Sequence, residues 1–387
     1  MRSVSIIGIG ETKFGKYPEK SLRDLINEAG EEAIKDANIE KERIQALYLG
    51  NFAGQQLARQ GFMSALASET LGLGDIPHVR TEGACCSGSL ALRMAQMAVG
   101  CGAYDVVLVG GVEKMTHQPT GIVTDAIASA MDSINEVPYG STFPGQFAQI
   151  ANRYFYEYRN VKKEMAMVAV NAHKNGALNP DAQMQKEISL DKVLDAAMIA
   201  DPLSLYDCSL VTDGAVFIVV AATEIATKIS KKRVIDIIGS GHAGNTISLF
   251  TKDPITSFTA TKEAARQAYD MAGLSPKDID FAEVHDCFTI TQIINTEDLG
   301  FFEAGHGADA VIDGIINLEG KKPINASGGL KAKGHPIGAT GLSQVYEVVQ
   351  QLRGDAGMRQ LKKADIGLTH NLGGSAGVCV VNILEGR

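Results

Sequence analysis

The 387-residue chain has no basic tract, and its formal net charge is −9. Binding to a phosphate backbone needs clustered Lys and Arg, so nucleic acid is excluded as a main partner. The longest apolar run, Ala215 to Ala222, falls far short of the ~20 residues that a membrane span needs. The N-terminus, Met1 to Gly8, enters a strand pattern at once and shows no apolar stretch ending in a small-residue cleavage site. No signal peptide is therefore expected, and a cytoplasmic location is. Six cysteines (85, 86, 101, 208, 287 and 379) include no Cys-x-x-Cys pair, which argues against a structural zinc. Tryptophan is absent.

What the chain does contain is ordinary in bulk. Hydrophobic residues make up 45% and charged residues 21%, the composition of a globular protein with a real core. The length allows two domains or one duplicated unit. Forty-one glycines imply many tight turns and close backbone approaches.

Short β-branched runs alternate with helical patterns. Val4 to Gly8 predicts a strand. Leu22 to Ala37 predicts a helix, with Ser21 as N-cap and apolar Leu22, Leu25, Ile26, Ala29, Ala33 and Ile34 near helical spacing. Ala46 to Leu49 and Tyr104 to Val109 predict strands on either side of a helix from Ser87 to Ala98. This βαβαβ order implies a mainly parallel sheet covered by helices. The order then returns. Val234 to Gly239 mirrors the first strand, and Ala37 and Ala272, like Ile44 and Ile279, stand 235 positions apart. The helix after Cys85 corresponds to the helix after His335, and Asp105 to Asp365. An α/β fold of two pseudo-duplicated halves is expected. Residues 1–115 with about 200–230 form one half and 231–387 the other. Between them, about 116–200 reads as an inserted loop domain, rich in Gly and Pro around Pro138-Tyr139-Gly140 and Phe143-Pro144-Gly145.

Chemistry-bearing residues collect at element ends. Cys85 sits among small residues just before a helix, where unpaired N–H groups and the helix dipole favour thiolate. Its neighbour Cys86 points elsewhere and reads as packing. His335 lies in the Gly-rich turn Gly334 to Gly341, with Pro336 suited to a first helical position. By the duplication it takes the place in half two that Cys85 takes in half one, so the two would point at a common centre. His285 and Cys287 follow the strand Ala282-Glu283-Val284, at the end where open α/β sheets place ligands, and two residues apart they share a face. Taken singly, each has a bland alternative: a buried thiol, a capping histidine, a polar strand end. Together they suit covalent acyl transfer through a thioester. Asn371-Leu372-Gly373-Gly374 follows the last buried strand, and its glycines could bring N–H groups to an oxyanion.

These segments together resemble the thiolase family over essentially the whole chain. The resemblance rests on Cys85-Cys86-Ser87-Gly88, Val112-Glu113-Lys114-Met115 after Gly110-Gly111, Asp213-Gly214-Ala215, His285-Asp286-Cys287-Phe288, and Gly334 to Gly341. The branch it is most similar to is the archaeal and sterol-carrier-protein type, which carries HDCF where other thiolases carry NEAF.

The resemblance implies an α-β-α-β-α layering. It implies Cys85 as the acylated nucleophile, His335 as the group that takes its proton, and His285 beside His335 around the thioester oxygen. Cys287 would be the second acid/base, and backbone N–H groups of Cys85 and Gly373 would form a second oxyanion hole. Commoner thiolases place the acid/base thiol in a C-terminal CxGGG segment; Asn371 to Ser375 lacks it, so Cys287 must substitute. The implied reaction is ping-pong cleavage of a 3-oxoacyl-CoA, most simply acetoacetyl-CoA, or its reverse, a Claisen condensation. Coenzyme A and acyl-CoA enter as substrates, with no metal and no tightly bound cofactor. A homodimer or dimer of dimers is implied. So are a small OB-fold, zinc-ribbon partner and hydroxymethylglutaryl-CoA synthase. The alternatives are a thiolase for a bulkier substrate such as benzoylsuccinyl-CoA, a decarboxylating condensing enzyme that does not need Cys287, and a non-catalytic thiolase-like scaffold, in which the four side chains would be broken up.

Overall fold

The computed structural model describes residues 2–387. Its strands are β1 (Val4–Glu11), β2 (Leu47–Gly50), β3 (His78–Thr81), β4 (Val106–Glu113), β5 (Met198–Ala200), β6 (Leu203–Ser204), β7 (Gly214–Ala222), β8 (Ile235–Gly244), β9 (Phe281–Val284), β10 (Ile366–Gly373) and β11 (Val378–Gly386). β5 and β6 form a separate ribbon. The other nine run in the order β3-β2-β4-β7-β1-β8-β11-β10-β9. The order mirrors itself about the β1–β8 junction, which is held by only two residue pairs, Ser5 with Asp236 and Ile6 with Ile235. Even the missing tenth position has a trace, because Ile324 bridges β9 in parallel at Ala282, as β3 pairs with β2.

The expectation of a mainly parallel sheet fails. β2 pairs in parallel with β3 and β4, and β9 with β10, but β4–β7, β7–β1, β1–β8, β8–β11 and β11–β10 are antiparallel. The reason lies in β7 and β11. Each returns late in its half and inserts antiparallel between two earlier strands. β7 is continuously apolar and buried along its length, as a strand with helices on both faces should be. Val216, Ile218 and Val220 face one core while Phe217, Val219 and Ala221 face the other.

Three cores stack between the layers. The middle one packs Ala91, Leu92 and Val99 of helix Ser87–Gly100 and Leu342, Val345 and Val349 of helix Thr340–Arg353 between the half-sheets. Helix Leu22–Ala37 covers the outer face of the first half and helix Thr259–Ala272 that of the second. Hence the order is helix, sheet, paired helices, sheet, helix.

The duplication extends to single atoms. Helix Leu22–Ala37 ends on left-handed Asn38 (φ 54), and helix Thr259–Ala272 on left-handed Gly273 (φ 68). A Cβ on Gly8 would lie 2.3 Å from the Ala33 carbonyl; on Gly239, its counterpart, 2.4 Å from that of Ala268. Both outer helices therefore rest directly on strand backbone. Just before β2, the Gln45 side chain accepts the N–H groups of Asp105 and Val106. Just before β9, Asp280 accepts those of Asp365 and Ile366. The segment between the halves folds mainly into helices Thr120–Ala128, Phe143–Glu157 and Lys162–Ala177.

Candidate active site

The starts of the two middle helices abut. A Cβ on Gly88 would lie 2.7 Å from the Gly338 carbonyl, so only glycine lets the backbones approach this closely. Glu113, at the end of β4, clamps the junction. Its carboxylate accepts the N–H groups of Phe52 (2.9 Å) and Ala53 (3.1 Å) from the first half and of Gly338 (3.0 Å) from the second. Asp213 does the same for the insertion. It accepts the Met115 and Thr116 N–H groups and pairs with Lys114 at 3.0 Å. The family-like segments Val112 to Met115 and Asp213 to Ala215 are thus joints that hold the loops around the site.

Cys85 sits in the single turn Ala84–Cys86 that precedes helix Ser87–Gly100. Its Sγ and one ring nitrogen each of His285 and His335 lie within 4.8 Å of one another. The two imidazoles meet edge to face, with ring centroids 5.2 Å apart. Cys287 lines the same cavity, with its Sγ 3.7 Å from the Thr291 hydroxyl. All four residues singled out in the sequence therefore converge. His285 and Cys287 come from the loop after β9, His335 from the turn before helix Thr340–Arg353, and Cys85 from the other half. The cavity measures about 840 Å³ including its open mouth. Apart from these groups its walls are mostly apolar, with Met115, Ile127, Met131, Phe143, Phe147 and Leu210 prominent among them.

Hydrogen-bond partners fix the two rings in opposite tautomers. The Thr340 hydroxyl donates to the Pro336 carbonyl (3.0 Å), so it accepts from His335 Nδ1–H (2.6 Å). His335 Nε2 is left with a bare lone pair. The Asn371 amide nitrogen donates to His285 Nδ1 (2.9 Å), and its orientation is set by Ser89, whose hydroxyl donates to the amide oxygen (3.1 Å). His285 Nε2 therefore carries the hydrogen, and it is buried without a partner. One ring is built to take a proton and the other to give a hydrogen bond. For the same reason the trio is a poor metal site, since His285 offers an N–H where a ligand needs a lone pair.

Electrostatics corrects one expectation. The dipole argument predicts a thiolate at Cys85. Burial dominates instead, and it pushes the thiol up to about 12 despite the opposing N–H groups of Gly374 and of Cys85 itself. Helix polarity alone is too weak, so Cys85 rests as a neutral thiol. Burial, aided by the charge of Lys331, holds the His335 ring down to about 3 and hence neutral. His285 is held well below its ordinary range by burial and by the neighbouring rings His335 and His370. Burial, reinforced by Cys85, raises the Cys287 thiol as well.

A second difference concerns the backbone donor. Gly373 stays in register with Val378 of β11, and a Cβ there would meet the Gly83 carbonyl at 2.2 Å. The chain leaves the strand one residue later, at Gly374 (φ 61), and it is Gly374 that lines the cavity beside Cys85. Asn371 and Thr340 escaped the sequence reading as ring-orienting groups. Both lay inside segments already singled out, but nothing in their spacing reveals which ring they touch.

A thiol that meets two neutral imidazoles, with a second thiol lining the same cavity, is an arrangement suited to acyl transfer. The model for the thiolase N-terminal domain matches residues 4–224, and that described as thiolase C-terminal domain-like matches residues 241–386. The chain belongs to the thiolase family. It is 45% identical over 385 residues to an acetyl-CoA acetyltransferase of Methanothermobacter thermautotrophicus, with both chains fully covered. It is 33% identical to the benzoylsuccinyl-CoA thiolase subunit BbsB of Thauera aromatica, covering 96% of this chain and 95% of that one. Among solved structures, an Ltp2-ChsH2(DUF35) aldolase matches with a TM-score of 0.86 at 25% identity, covering 99% of this chain and 98% of the other. No helix among the described residues is long and apolar enough to cross a membrane.

Proposed function

We propose that the protein is a CoA-dependent thiolase that cleaves a 3-oxoacyl-CoA, or condenses two acyl-CoAs, through an acyl-enzyme on Cys85. The observation that carries this reading is the meeting of the Cys85 sulfur with the two imidazoles within 4.8 Å. In the condensing direction, His335 Nε2 takes the Cys85 proton as the sulfur attacks the first thioester. The N–H groups of Cys85 and Gly374 receive the oxyanion, in place of the expected Gly373. Cys287 gives its proton to the departing CoA sulfur. The thiolate so formed removes a proton from the methyl group of the second acyl-CoA, while His285 Nε2–H binds the enolate oxygen. The carbanion then attacks the acyl group on Cys85; the C–S bond breaks, and the departing Cys85 sulfur recovers its proton from His335.

Acetoacetyl-CoA is the substrate we favour, supported by the full-length likeness to an acetyl-CoA acetyltransferase. A bulkier acyl group is the second reading, favoured by the mostly apolar walls of the cavity and by the likeness to a benzoylsuccinyl-CoA thiolase subunit. No metal or tightly bound cofactor enters either scheme. The protein works in the cytoplasm as a homodimer, or as a dimer of dimers. The free edge of β3 and the exposed Phe62 and Val79 beside it support that assembly. A small OB-fold, zinc-ribbon protein joins it, supported by the two-component title of the structural neighbour, and hydroxymethylglutaryl-CoA synthase consumes its product.

A cleavage panel from acetoacetyl-CoA to aryl 3-oxoacyl-CoAs, run with and without the small partner, tests the substrate. Radiolabelled acetyl-CoA should label Cys85 alone, and Cys85→Ala should abolish both label and cleavage. Label trapped on another thiol refutes the assignment.

A further inference from the structure

The wall behind Cys287 holds a cation that the steps above leave without a role. Lys331 is only 2% exposed, on the short turn that leads to His335. Its ammonium donates to two backbone carbonyls, those of Asp207 and Cys287 (the latter at 3.2 Å). It makes no ion pair among the described residues. The Asp207 carboxylate is occupied by Lys162 at 2.6 Å, and that of Asp286 accepts the Leu330 N–H at 2.8 Å through one oxygen and leaves the other buried without a hydrogen bond. Burial holds the ammonium below the ordinary lysine range, and the nearby Cys208, Asp286 and Asp207 oppose that only in part. On the other side of the same wall, Cys287 has one polar neighbour at its sulfur, the Thr291 hydroxyl, amid the stacked rings of Phe147 and Phe288. Burial penalises a thiolate formed there in the same way.

We infer that Lys331 is a positioning residue that ties the Cys287 loop to the insertion and balances the charge of the thiolate that Cys287 becomes during turnover. This rests on the thiolase reading. The S–H bond of Cys287 breaks as its proton passes to the CoA sulfur, and the electron pair stays on Cys287. That pair then takes a proton from the second acyl-CoA, whose C–H electrons enter the enolate. Between the two events the site holds the Cys287 anion, with the Lys331 ammonium on one side and the proton that His335 took from Cys85 on the other. The ammonium disfavours imidazolium at His335 and His285, so the proton that His335 took from Cys85 is held loosely, and His285 stays neutral. The other groups facing Lys331 are few. Lys162 and Asp207 neutralise each other, and His173 on helix Lys162–Ala177 is held neutral by burial. Cys208 is raised by burial, and Asp286 is pushed by burial up to about 6.

The test removes charge without removing the hydrogen bonds. In a Cys85→Ala background, alkylation of Cys287 by iodoacetamide is followed at several pH values by peptide mass spectrometry. K331Q keeps an N–H donor for both carbonyls and should slow alkylation about tenfold, one pKa unit of lost thiolate stabilisation. Its pH profile should move to higher pH. K331M should do the same with a different shape, and K331R should stay near the parent. Wild-type rates in K331Q and K331M overturn the inference, and so does an equal loss in all three variants with no pH shift. If the unmodified enzyme fails to label at Cys85, the thiolase reading falls, yet the alkylation rates still decide what Lys331 does to Cys287.

Discussion

Asn371→Asp reverses a tautomer without changing a shape. The amide of Asn371 donates to His285 Nδ1 at 2.9 Å and accepts from Ser89 at 3.1 Å. The site is tight, since a Cβ on Gly341 would come within 2.5 Å of the amide oxygen, so only an isosteric change fits. An ionised carboxyl can still accept from Ser89 but can only accept from His285 as well. The ring must then carry its hydrogen on Nδ1, and Nε2 presents a lone pair to the developing enolate instead of an N–H. Loss of one oxyanion donor lowers the rate about 10²–10³-fold, or roughly 3–4 kcal/mol. Condensation measured at pH 8 should fall by that factor, while labelling of Cys85 by acetyl-CoA changes only a few-fold. Lowering the pH should restore condensation, because a proton on either the new carboxyl or the ring returns an N–H to Nε2. A variant that condenses at the wild-type rate at pH 8, with unchanged melting temperature, would show that His285 Nε2–H is not the donor.

The remaining expectations follow from the same contacts. Thr340→Val removes the acceptor of His335 Nδ1–H and should slow Cys85 acylation about tenfold to a hundredfold, the effect of about 1–3 kcal/mol for a buried donor left unpaired; quench-flow labelling at the wild-type rate would refute the tautomer. Cys287→Ala should still acylate at Cys85 but fail to condense, and retained condensation moves the acid/base elsewhere. His335 and His370 are both held from the ordinary 6.5 down to about 3 by burial. Their unfolded forms bind protons first, so stability is fully present above about pH 6.5 and is lost as the pH falls toward 3. Each ring contributes about 1.4 kcal/mol per pH unit in that window. Urea midpoints at descending pH should show His370→Gln with the shallower slope; an identical slope would mean that His370 does not titrate this way.

The duplication was legible because close packing writes itself into sequence at fixed spacing. Gly8 and Gly239 must be small where an outer helix rests on a strand, and Asn38 and Gly273 must tolerate a left-handed cap. Cys85, His285, Cys287 and His335 were legible as a set because thiols and imidazoles stand out at element ends. The antiparallel return of β7 and β11 was not legible, since a strand buried on both faces reads as a featureless apolar run whatever its direction.

Residue identities and their spacing along the chain thus set the repeated unit, its helix ends and the four reactive side chains. Only the folded molecule decided how those side chains behave. Whether a ring gives or takes a proton depends on the partner that folding brings to it, Asn371 for His285 and Thr340 for His335. Whether Cys85 rests as thiol or thiolate depends on a contest between burial and backbone N–H groups, which no local segment contains. Desolvation and hydrogen-bond direction are properties of a three-dimensional environment, and they arise only once the chain has folded.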